Sequence, residues 1–142
     1  MADVRVEITD WTEAQKAASP LRFAAFFEPD ARPGVEVDDR DPQAVHAVAY
    51  DDAGKAVGTG RLLADGQIGQ LAVTKEWRRR GVGAALIEAL VGEALKRNYA
   101  HVTITAPLQA AEFYRTQGFA AEGKVFKEGR ILQQRMRKAL RG

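Results

Sequence analysis

The chain has 142 residues, 46% hydrophobic and 28% charged, with a formal net charge of +2 and no cysteine. That length suits one domain with a sizeable core, and the missing cysteines exclude a disulfide framework, a thiolate nucleophile and a Cys-ligated metal. The small net charge argues against nucleic acid, and no apolar run is long enough for a membrane span, so a cytoplasmic location is expected.

Val4, Val6 and Ile8 alternate with polar residues and predict a first strand. Asp10 or Thr12 stands where it can cap a helix through Ala14, Ala17 and Ala18. Pro20 is expected to interrupt that helix, which resumes over 21–27. Residues 28–42 hold Pro29, Pro33, Gly34 and Pro42 among many acidic side chains and read as an irregular surface loop. A meander of three strands follows over 44–50, 56–63 and 68–73, with turns at Asp51-Asp52-Ala53-Gly54 and Asp65-Gly66. Val82, Ala85, Leu86, Ala89 and Leu90 then recur at helical spacing, in a helix ending near Asn98. A β-rich run over 101–105 leads to Pro107 at the start of another helix, which Gly118 can terminate. Two strands, 119–126 and 130–138, close the chain across a Lys127-Glu128-Gly129 turn. The order β-α-β-β-β-α-β-α-β-β predicts a single α/β (α+β) domain over 1–142, with a mixed central sheet and helices on both faces.

Two stretches carry chemistry. Leu71, Ala72 and Val73 end a buried strand, and Arg78, Arg79, Arg80, Gly81, Val82, Gly83 and Ala84 lead from a basic turn into a helix. A helix start leaves its first N–H groups without partners and carries partial positive charge. Glycines without Cβ let a phosphate approach that backbone, and arginine forks add donors matched to phosphate oxygens. Read physically, this is a pyrophosphate cradle. The bland alternative is a solvated basic turn. About thirty residues on, Ala110, Phe113 and Tyr114 share one side of a helix that ends at Gly118-Phe119. Alone, that spacing describes a core face with an aromatic seam.

Arg78 with Gly81 and Gly83, followed in order by Tyr114-x-x-x-Gly118-Phe119, resembles the motif pair of GCN5-related (GNAT) N-acetyltransferases. The resemblance implies the GNAT acyl-CoA N-acyltransferase fold, acetyl-CoA as donor cosubstrate and an amine as acceptor. It further implies that residues 78–84 hold the donor's pyrophosphate and that backbone N–H groups at Leu71, Ala72 and Val73 face its thioester and pantetheine. Tyr114 matches the position of the family's general acid, whose phenol can give a proton to the departing sulfur. The N-terminal half, with Arg22-x-x-Ala25-Phe26-Phe27, Glu36-x-Asp38-x-x-Asp41, His46 and Val57-Gly58-Thr59-Gly60-Arg61, resembles the family's ElaA/YjcF-like branch. It bears a milder likeness to acyl-homoserine-lactone synthases.

No general base stands out. Relatives place a glutamate on the fourth strand, where this chain has Gln67 and Gln70, which do not titrate. Glu36, Asp38, Asp39, Asp41 and His46 are candidates, although solvated loop carboxylates and a structural histidine account for them equally, and a water route is expected. A non-catalytic acyl-CoA-binding module is the alternative function. No metal site is expected. The last strand, with Leu132 and Met136 between polar neighbours, reads as an open sheet edge, from which a homodimer is expected.

Overall fold

The computed structural model describes residues 3–26 and 37–141. Its elements are β1 (Arg5–Thr9), α1 (Trp11–Phe26), β2 (Val45–Tyr50), β3 (Ala56–Leu62), β4 (Gln67–Val73), α2 (Val82–Lys96), β5 (His101–Pro107), α3 (Ala111–Thr116), β6 (Ala120–Ala121), β7 (Phe126–Glu128) and β8 (Ile131–Ala139). One mixed sheet runs in the order β1-β2-β3-β4-β5-β8-β6, with β7 also paired to β8. Every pairing is antiparallel except β4–β5, which is parallel. The expected mixed α/β architecture is what the chain adopts.

The two long helices take opposite faces because β3 alternates. A Cβ on Gly58 would lie 2.9 Å from Val82 Cγ1, and one on Gly60 would lie 3.1 Å from Leu90 Cδ1, so this face meets α2. Arg61, one residue on, turns to the other face and shares Asp41 with Arg22 of α1. Val82, Leu86, Ile87, Leu90, Val91 and Ala94 of α2 are all buried in the core. Each such side chain contributes roughly 1.5–3 kcal/mol by leaving water.

Three expectations need correction. Pro20 does not interrupt α1; it sits inside one continuous helix, capped at its start by Asp10 Oδ1 accepting the Glu13 N–H at 3.1 Å. Proline removes one backbone bond there, but the buried Ala14 and Ala18 before it and the buried Arg22 after it hold both halves. The strand expected over 119–126 is broken into β6 and β7. Gly123 adopts φ +76, and Gln134 Nε2 donates to the carbonyls of Glu122 and Gly123, at 3.2 and 3.1 Å, so this segment bonds to a side chain instead of a ladder. Finally, β8 is not an edge. It pairs with β5 along one side and with β6 and β7 along the other, so the homodimer loses the ground on which it was expected.

The helix ends are as the glycine and asparagine signals predict. Asn98 takes φ +63, with the Tyr99 N–H reaching back to the Ala94 carbonyl at 3.0 Å, and Gly118 takes φ +94 with Phe119 bonding Tyr114 likewise.

Candidate active site

The site is built around a divergence between neighbouring parallel strands. β4 and β5 pair only at Gln67–Thr103 and Ile68–Ile104; beyond these residues the strands part. A bulge on β4 coincides with the parting. Thr59 pairs with Ala72 and Arg61 with Gly69, so Gln70 and Leu71 together stand opposite Gly60 alone. Gln70 takes φ +52, a left-handed backbone unusual for a residue with a side chain. Gly60 makes the bulge possible, since a Cβ there would come within 2.7 Å of Leu71 Cδ2. Ala72 remains paired and buried, and Leu71 packs against the core.

At the C-terminal end of β4 the chain enters the basic turn. Arg79 and Gly81 both have left-handed backbones, φ +62 and +86, and Gly81 caps α2 without any side-chain bond. Left-handed residues alternating in such a turn point backbone N–H groups to one side and form an anion-binding concavity. A cavity of about 260 Å³ opens there, lined by Val73, Trp77, Arg78, Arg79, Gly81, Val82, Gly83, Ala84 and Phe113. Nothing lies within 4 Å of where a Cβ on Gly83 would stand. Arg78 is committed to positioning, its Nε donating to the Val73 carbonyl at 2.9 Å. Arg80 stacks over Trp77 at 4.8 Å and lines a second hollow with Arg79. Phe113 is the residue sequence reasoning assigned to a seam instead of to this cavity; its 39% exposure is the signal that it serves both.

Tyr114 is 5% exposed and packs edge-on against Phe113 and Phe119, with ring centroids 5.0 and 6.1 Å apart. It therefore belongs to the aromatic seam, one residue from the cavity-lining Phe113.

A second cavity, of about 310 Å³, opens at the β4 bulge between Gln67, Gln70, Leu71 and Thr105 on the sheet and Asp38, Arg40, Phe126 and Glu128 around it. Behind its wall lies a buried ionic network. Arg61 Nη1 donates to Asp38 at 2.6 Å and to Asp41 at 2.9 Å, its Nη2 donates to Asp38 at 2.9 Å, and Arg22 Nη1 donates to Asp41 at 2.8 Å. His46 Nε2 donates to the Asp41 backbone carbonyl at 2.9 Å, and its ring lies 4.9 Å from Trp11. Arg22, Asp41 and His46 are completely buried.

These contacts fix the charge states and answer the search for a base. The Arg61 hydrogen bond beside Asp38 holds its carboxyl at a pKa of about 2, far too low to accept a proton from an ammonium. Burial alone would raise Asp41, but the Arg22 hydrogen bond and the other donors around it outweigh burial and lower its pKa. Burial lowers His46, so its neutral ring, with the proton on Nε2, is the folded form. Asp38, Asp41 and His46 are thus structural charges or partners, Asp39 makes no contact to the network, and Glu36 lies outside the described residues. Among the described residues no cluster of His and carboxylates could hold a metal ion, and no helix is long and apolar enough to cross a membrane.

Acid should therefore destabilise the fold in two windows. The His46 contribution is complete above pH 6.5, its unfolded value, and is lost as pH falls through its lower folded value. The Asp38 contribution is complete above pH 3.8 and is lost as pH falls towards about 2. Urea midpoints measured across pH should show both losses, and His46→Asn should abolish the slope of the first; a midpoint that stays flat from pH 7 to 3 contradicts the buried network.

The comparisons agree with this geometry. A family model described as an acetyltransferase (GNAT) domain matches residues 16–140. The chain is 31% identical over 111 residues to the uncharacterized N-acetyltransferase YjcF of Bacillus subtilis, covering 75% of this chain and 79% of that protein. It shares its fold with an acyl-CoA N-acyltransferase from Pseudomonas aeruginosa, at TM-score 0.82 and 25% identity over 96% of this chain and 99% of that one. Escherichia coli ElaA shows the same fold at TM-score 0.81 and 20% identity, over 95% of this chain and 99% of that one. The chain spans 37%, 31% and 30% of the length of three plant acetyltransferases it matches, two from Glycine max and one from Arabidopsis thaliana. Shared fold, matched family and strand divergence lead to one conclusion: the chain belongs to the GNAT acetyltransferase family, in its ElaA/YjcF-like branch.

Proposed function

We propose that this protein is an enzyme that transfers an acetyl group from acetyl-CoA to a primary amine of a small molecule, peptide or protein in the cytoplasm. The observation that carries the donor half is the open concavity at Gly81 and Gly83, with a helix start and arginines around space that a pyrophosphate would fill. Residues 79–84 would hold the pyrophosphate, and the stretch of β4 beyond its two pairings with β5 would face the pantetheine and thioester carbonyl.

Acetyl-CoA supplies an activated acyl carbon. The neutral amine nitrogen attacks that carbon, a C–N bond forms, and the C–S bond breaks. The amine's surplus proton leaves through water, since neither Gln67 nor Gln70 titrates and Asp38 is held ionised. Tyr114 gives its phenolic proton to the departing sulfur and regains one from solvent, so the products are an N-acetyl amine and free CoA.

Release of free thiol from acetyl-CoA with a panel of amines tests this reading. Tyr114→Phe keeps the ring in its seam, so acetyl-CoA affinity should stay nearly intact while kcat falls on the order of 10²-fold. Equal turnover by the Phe variant would return Tyr114 to a purely packing role.

A further inference from the structure

The charges around the 310 Å³ cavity do not all cancel, and what is left over describes a ligand. Asp38 and Asp41 are matched by Arg22 and Arg61 through contacts of 2.6 to 2.9 Å. Among the described lining residues, that leaves Arg40 and Glu128. The Arg40 guanidinium is half exposed and comes no nearer to Asp38 than 3.9 Å, too far for a hydrogen bond. Among the described residues Glu128 accepts only from the neutral Gln133 amide, and no cation there pairs with it. Among the described residues, one cation held only by a 3.9 Å pair to the already matched Asp38 and one anion with no cationic partner therefore line the same space.

Gln70, on the bulge, lines the same cavity. Its Oε1 is buried without a hydrogen-bond partner. A buried acceptor left unmade costs roughly 1–3 kcal/mol, and its left-handed backbone adds strain; such costs gather where a ligand relieves them. An oxygen of this kind calls for a donor, and an ammonium or amine supplies several N–H groups at once.

We propose that the acceptor is a primary amine that itself carries an anionic group, a carboxylate, phosphate or phosphonate. Its nitrogen is held by Glu128 and Gln70 Oε1 beside the diverging strands, and its anionic group by Arg40 at the cavity rim. The proposal rests on the acyltransferase reading above and narrows its acceptor. A plain alkylamine would satisfy Glu128 and Gln70 but leave Arg40 with only its 3.9 Å pair to Asp38. A carboxylic acid without an amine would leave Glu128 and Gln70 unmatched.

Matched pairs of acceptors test it: glycine with glycinamide, and phosphoethanolamine with ethanolamine, each assayed by thiol release and by calorimetric binding to the CoA-saturated protein. In each pair the anionic member should be preferred, by about 10–100-fold in kcat/KM, the range of one charge-assisted hydrogen bond. Arg40→Gln should erase that preference by raising KM for the anionic member while sparing kcat and the neutral amine. Glu128→Gln should raise KM for both members. Equal use of the two members, a preference for the neutral one, or absence of binding by any anionic amine would overturn the proposal. Failure of the acyltransferase reading looks different: neither acetyl-CoA binding nor thiol release with any amine.

Discussion

Gly83→Asp should weaken acetyl-CoA binding by at least about 100-fold, roughly 2.8 kcal/mol, while the protein keeps its melting temperature. The two halves of that expectation come from different observations. A Cβ at Gly83 meets nothing within 4 Å, and its backbone has no left-handed φ, so the substitution costs the fold little. Aspartate in the first turn of a helix is even favourable to the helix itself, because it faces the positive end of the macrodipole. What the side chain occupies is the open space in front of the N–H groups of α2. There it puts a carboxylate where a doubly charged pyrophosphate must sit, and it bonds the donors that the pyrophosphate needs. Gly83→Ala separates bulk from charge, since it adds the Cβ without the carboxylate and should lose far less affinity. Calorimetry on the folded variants decides the matter: an Asp variant that binds acetyl-CoA as the parent does would remove the pyrophosphate from this turn.

Local chemistry made the basic turn and glycine-rich helix start readable from sequence. A helix opening on Gly81 and Gly83 after three arginines needs no partner elsewhere in the chain to declare itself, and the loop cavity gathers Val73, Arg78, Arg79, Gly81, Val82, Gly83 and Ala84 around it. The strand–helix order was readable for the same reason, because alternation and turn residues act over a few positions. Long-range features were not. Pro20 signals a break within its own helix, and only the tertiary contacts of Arg22 show why the helix continues through it. The C-terminal strand carries polar neighbours that suit an edge, yet β6 and β7 cover it, because Gly123 and Gln134 divide the preceding segment in a way no periodicity reveals. The cavity at the β4 bulge is assembled from Asp38 and Arg40, β4, β5 and the β7–β8 hairpin, so its charge balance emerges only when those elements meet.

Removing the Asp41 carboxylate should be the most damaging single change to the fold, costing about 3–5 kcal/mol in Asp41→Ala, the usual result of leaving buried charge uncompensated. Asp41 is completely buried, and both of its oxygens are engaged: Oδ2 by Arg22 and by the Asp38 N–H at 2.9 Å, Oδ1 by Arg61. Without it, Arg22 keeps its burial and loses its only ion-pair partner among the described residues. The 38–41 turn loses the bond from the Asp38 N–H and one of its contacts to Arg61 of β3, so the cavity wall should loosen with the fold. Asp41→Asn preserves shape and one acceptor oxygen, and should fall between wild type and the alanine variant. Adding Arg22→Met to Asp41→Ala removes the stranded cation, and a double-mutant cycle should then return part of the loss, because a well-packed apolar side chain can replace a buried ion pair at little cost. Denaturant unfolding of wild type, Asp41→Ala, Asp41→Asn, Arg22→Met and the double variant measures each term. A loss below about 1 kcal/mol in Asp41→Ala would show that water reaches the network and screens it, as it does at surface pairs.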